Sequence, residues 1–138
     1  MEWQARRSRY AEATETLLRF VYAYRDGGSA WDQFPEEWRR TAKENGKSVI
    51  ADLESTILGY PRPNDLAKIT APFVCTYGSR SPSYMRPITR ALARAIPTAT
   101  VREIDGAAHA VTFDAPDNFV RVIVEAIRSS KQRDRQTA

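Results

Sequence analysis

The chain of 138 residues contains a single histidine, His109, in the stretch VREIDGAAHAVTFDAP, three residues past an Asp-Gly turn. Imidazole is the side chain whose ordinary pKa lets it take and return a proton near neutral pH, so the first chemistry to weigh is general-base catalysis. A lone loop histidine is more often a surface or satisfied polar residue. His109, however, follows a short alternating strand pattern, at the strand end where open α/β sheets collect their ligands, and the small residues after it leave the ring accessible. A base also needs a proton donor within hydrogen-bond reach. Ser29 in GGSAW, Ser81 in GSRSP and Cys75 in PFVCTYG are the groups to test against that need. Cys75 reads as a small buried thiol within a strand. As the only cysteine it can form neither an intramolecular disulfide nor a thiol metal pair, so neither an oxidising compartment nor a metal is expected.

The elements that must position these groups can be read from periodicity. Tyr10, Leu17, Leu18, Phe20, Val21 and Tyr24 fall on one helical face, and Gly27 and Gly28 stop that helix. A second helix follows Pro35, with Glu36 and Glu37 at its start and Lys43 near its end, the signs that suit the helix dipole. A third runs from about Ser48 to Leu58, with Val49, Ile50, Leu53, Ile57 and Leu58 on one side, until GYPRP breaks it.

After Pro72 the character changes. FVCTYG is a β-prone run bounded by turn residues, a helix carries Met85, Ile88, Leu92, Ala95 and Ile96 with Pro87 in its first turn, and ATVREI is a second strand. The last helix, in APDNFVRVIVEAIRSS, turns Phe119, Val120, Ile123, Val124 and Ile127 inward, and KQRDRQTA reads as a tail. The order predicts an α/β chain: a helical segment over 1–64, a strand-helix-strand-helix unit with parallel strands over 65–130 and a disordered tail over 131–138. Two parallel strands do not normally stand alone, so another chain, a second copy or an upstream segment is expected to complete the sheet.

ITAPFVCTYGSRSP, the helix after it and ALARAIPTATVREIDGAAHAVTFDAPDNFVRVIVEAI together resemble the C-terminal half of the α/β-hydrolase superfamily, from about Leu66 to Ser129. The resemblance implies a partial α/β-hydrolase fold in which His109 occupies the catalytic-histidine position. The segment from Tyr10 to Leu58 then corresponds to a helical cap. On this reading Trp31, Phe34 and Trp38 would roof a pocket for a small apolar ester or related substrate. Read without the resemblance, the same three residues pack helices together.

Two departures from the family pattern stand out. The nucleophile turn, G-x-S-x-G, is absent. GGSAW has Trp31 where the second glycine belongs, and GSRSP also fails the pattern. The position that usually bears the acid carries Ser81, whose hydroxyl cannot hold an imidazolium as a carboxylate does. Asp105 and Asp114 lie near His109 in sequence, but the first reads as a turn residue and the second as a cap of the last helix.

The expected function is therefore that of an α/β-hydrolase-like protein, resembling serine-type hydrolases, inactive alone and needing a nucleophile-bearing partner segment. The rival is a non-catalytic interaction or dimerisation module. A net charge of +4 would fit a nucleic-acid binder, yet Arg6, Arg7 and Arg9 open the chain and Lys131, Arg133 and Arg135 close it, so no basic patch is expected. With no long apolar run, neither a secretory signal nor a membrane partner is expected, and the location expected is cytoplasmic. No cofactor is expected.

Overall fold

The computed structural model describes residues 2–56 and 62–136. The chain divides into two compact units, Met1–Ala23 with Gly27–Pro61, and Tyr24–Asp26 with Arg62–Ala138. Three residues after the first helix, Tyr24–Asp26, belong to the second unit.

The first unit is helical. α1 (Glu2–Val21) packs against α2 (Glu36–Glu44) and α3 (Gly46–Thr56), with a 3-10 turn at Ala30–Gln33. Gly46 permits the approach of α3 to α1: a Cβ there would lie 2.7 Å from Thr14 Oγ1 and 2.8 Å from the Tyr10 carbonyl oxygen. Gly27 and Gly28 take positive φ values of 98° and 74°, which lets the chain turn back so that Ala23 bridges Ser29. Tyr24 is therefore not part of the α1 face, contrary to the periodic reading. Ile57 and Leu58, expected to close the third helix, lie outside the described residues.

In the second unit β1 (Phe73–Gly78) and β2 (Ala99–Ile104) coincide with the two runs expected, and they pair in parallel from Phe73↔Ala99 to Gly78↔Ile104. A single turn, α4 (Pro63–Leu66), precedes β1, and α5 (Met85–Ala95) connects the two strands. Pro87 sits in the first turn of α5, where its missing N–H costs nothing. Arg86 lies over the Tyr77 ring, which puts α5 on the face that Tyr77 shares with Cys75. A groove of about 540 Å³ lies between Val74, Thr100 and Arg102 of the opposite face and the last helix, α7 (Pro116–Gln136), at Val122 and Ala126. A further turn, α6 (Val111–Asp114), precedes α7.

Two expectations about α7 change. It runs to Gln136 instead of ending at Ser130, so the supposed tail is helical as far as it is described; KQRDRQ has neither Gly nor Pro to stop it. Its apolar stripe is also largely uncovered: Phe119 is half-buried, but Val120, Ile123, Val124 and Ile127 are 55, 41, 37 and 50% exposed. A two-stranded sheet is too narrow to cover a helix face of this length. Ile88 and Leu92 of α5 are uncovered for the same reason, and the core beneath α5 reduces to Cys75, Thr89 and Ile96.

Candidate functional site

The parallel register brings both strands to an end at the same level, Gly78 beside Ile104, so the two exit turns meet. Ser79 joins them: its N–H donates to the Ile104 carbonyl, its hydroxyl donates to Asp105 Oδ1 at 3.1 Å, and it accepts the Gly106 N–H at 2.9 Å. Gly106 has φ of 75°, the left-handed conformation that the Asp-Gly turn calls for. Arg80 N–H donates to the Ala107 carbonyl at 2.9 Å. Gly78 makes this approach possible, since a Cβ on it would lie 2.0 Å from that carbonyl oxygen.

On this platform His109 is exposed, whereas Ala107, Ala108 and Ala110 around it are buried. Ser81, at the position of the family acid, is buried and its hydroxyl accepts the Gly78 N–H at 3.2 Å, so it serves its own turn. Ser29 is no nucleophile elbow: it is extended (φ −152°, ψ 144°) and its hydroxyl caps the 3-10 turn by accepting the Trp31 N–H. Cys75 is buried, and burial pushes its thiol pKa up, against any role as a thiolate.

Asp114 does not cap the last helix. Its Oδ2 accepts the Ala108 N–H at 2.9 Å and its Oδ1 accepts the Tyr24 hydroxyl at 2.7 Å. The Arg80 guanidinium lies 3.8 Å from the centroid of the Tyr24 ring, and Arg25 N–H donates to the Arg80 carbonyl at 2.8 Å. Sequence reading missed Tyr24, Ser79 and Arg80 here. The only available signal was the polar run GSRS directly after a strand.

In the first unit Trp31 is buried, Phe34 half-buried and Trp38 exposed. Their rings form a chain, with centroids 6.3 Å apart between Trp31 and Phe34 and 5.8 Å between Phe34 and Trp38. Tyr22 adds an edge contact to Phe34 at 5.0 Å. Among the described residues no group of three or more His, Cys, Asp or Glu could hold a metal ion, and no helix is long and apolar enough to cross a membrane.

The chain matches no family model, no curated protein and no solved structure.

Burial, and then the hydrogen bond to Asp114, pushes the Tyr24 phenol up to about 12 from its ordinary 10.0. A folded-state pKa above the unfolded one stabilises the protein fully below the unfolded value, and that contribution is lost as pH rises through the folded value. Unfolding free energy should accordingly fall between about pH 10 and about pH 12. Urea titrations across that window check it: Tyr24→Phe should lack this component of the decline, and an identical decline in both proteins would refute the assignment.

Proposed function

We propose that this chain supplies the histidine-bearing part of an α/β-hydrolase-like enzyme of the serine type, with His109 as general base. The hydrolase would act on a small, apolar ester or related substrate. The observation that carries the reading is the histidine loop: it lies beyond the carboxyl end of β2, tied to the exit turn of β1, and exposes His109 between buried alanines. In the complete enzyme His109 would deprotonate a serine and later activate water to release the acyl group. No G-x-S-x-G turn occurs in the sequence, so the serine must come from a segment upstream or from a separate polypeptide. Ser81 leaves the acid to that segment as well. The helical unit would correspond to the family's cap.

The test begins with the genomic DNA upstream of the codon for Met1. An in-frame stretch with alternating strand and helix patterns and a G-x-S-x-G turn, or a separately encoded segment of that kind, is expected. Joined to this chain, it should hydrolyse p-nitrophenyl butyrate in a manner that requires His109. An intact serine elbow that gives no His109-dependent hydrolysis would overturn the reading.

The exposed stripe of α7 favours a second reading, a dimerisation module without catalysis. It predicts a dimer in sedimentation velocity that Ile123→Asp converts to monomer. A wild-type chain that stays monomeric at all accessible concentrations would refute it.

A further inference from the structure

The loop that carries the exposed His109 is held both by its own far end and by distant parts of the chain. Asp114 commits both carboxylate oxygens, one to the Ala108 N–H at 2.9 Å and the other to the Tyr24 hydroxyl at 2.7 Å. Tyr24 is itself only 6% exposed, with one face against the Arg80 guanidinium. Arg80 then returns to the loop through its N–H on the Ala107 carbonyl. The single peptide group between Ala107 and Ala108 is thus held at both ends, its N–H by a carboxylate and its carbonyl by the exit turn of β1.

We propose that Tyr24 and Asp114 form a latch that sets the direction of His109, with Asp114 the positioning residue. A carboxylate is suited to the task. As an acceptor-only group it takes hydrogen bonds at both oxygens, and bonds to an ionised acceptor are shorter and stronger than neutral ones. Tyr24 supplies what a solvent-facing residue could not, a rigid buried donor that keeps the carboxylate from turning away from Ala108. The phenol stays protonated well beyond neutral pH, so it remains that donor throughout the range in which an imidazole works. The base of the proposed hydrolase is in this way governed by a residue 85 positions earlier in the chain, in the short piece Tyr24–Asp26 that belongs with the second unit. The role of His109 as a base rests on the function proposed above, whereas the latch rests on the hydrogen bonds alone.

The single histidine makes the test direct, because the imidazole Cε1–H signal in the NMR spectrum is unique. Asp114→Ala should shift or broaden that signal and speed exchange of the Ala108 amide by about tenfold, the effect of losing one charge-assisted hydrogen bond. Tyr24→Phe, which keeps the ring over Arg80, should move the same two signals to a smaller extent. Ile96→Val, a core change outside the latch, should lower stability yet leave the His109 signal in place. The latch is overturned if both Asp114→Ala and Tyr24→Phe, folded by circular dichroism, keep the wild-type His109 signal. Should Asp114→Ala fail to fold, Tyr24→Phe decides alone. These readouts need no catalysis: absent hydrolysis with a moving His109 signal would sink the enzyme and keep the latch, and an unmoved signal would sink the latch while hydrolysis stood.

Discussion

Gly78→Ala will lose at least about 3 kcal/mol of stability, more than ordinary overpacking, because the new methyl meets main chain that has no rotamer to change. Its Cβ would lie 2.0 Å from the Ala107 oxygen, 2.3 Å from the Ala107 carbonyl carbon and 2.8 Å from the Ala108 nitrogen. Relief requires the histidine loop to withdraw from the end of β1. That would break the Arg80–Ala107 main-chain bond and the bond from Ala108 to Asp114, each 2.9 Å long. Gly106 provides the contrast. Its φ is 75°, but a Cβ there meets nothing closer than the Ala115 methyl at 3.9 Å, so Gly106→Ala should cost only the left-handed conformation, about 1 to 2 kcal/mol. Hydrogen exchange of the β1 and β2 amides in the three proteins measures both. A Gly78→Ala variant with wild-type protection would mean that the two exit turns are not packed as described.

The contrast also shows what a sequence carries and what it does not. FVCTYG and ATVREI were legible with their ends because β-prone residues are bounded by Pro72 and Gly78 on one strand and by Pro97 and Asp105-Gly106 on the other. The close approach at Gly78 was not legible, since a glycine at a strand end reads equally well as a simple turn. Periodicity grouped Val120, Ile123, Val124 and Ile127 on one face of α7, as they are, but it says nothing of whether a surface exists to cover that face. With a sheet of two strands it stays open.

The spacing of Tyr24 continues the pattern of Phe20 and Val21, and a pattern does not report that the helix has already ended at Val21. Asp114 shows a related limit. Beside a helix start, an aspartate is a natural cap, and the competing partner is a hydroxyl 90 residues away that no local rule contains. The strand-end position of His109 is legible in the sequence, whereas the bonds of Asp114 to Ala108 and Tyr24 beside it depend on the fold.

His109→Ala in the proposed, completed hydrolase should lower kcat/KM by about 10⁶-fold, about 8 kcal/mol of transition-state stabilisation. A size of that order follows from the double use of the imidazole, which takes the serine proton in acylation and must return it to the leaving group before water is activated in turn. Neither Ser81, held by the Gly78 N–H, nor Asp114, held by Tyr24 and Ala108, is free to substitute. Asp105 is likewise engaged by Ser79. Ground-state binding of an apolar substrate does not depend on the imidazole, so the loss should fall on kcat while KM stays within a few-fold of wild type. Steady-state kinetics on p-nitrophenyl butyrate separate the two constants. A His109→Ala enzyme that retains a tenth or more of wild-type kcat would place the base elsewhere, and the histidine loop would then be a structural corner of the sheet.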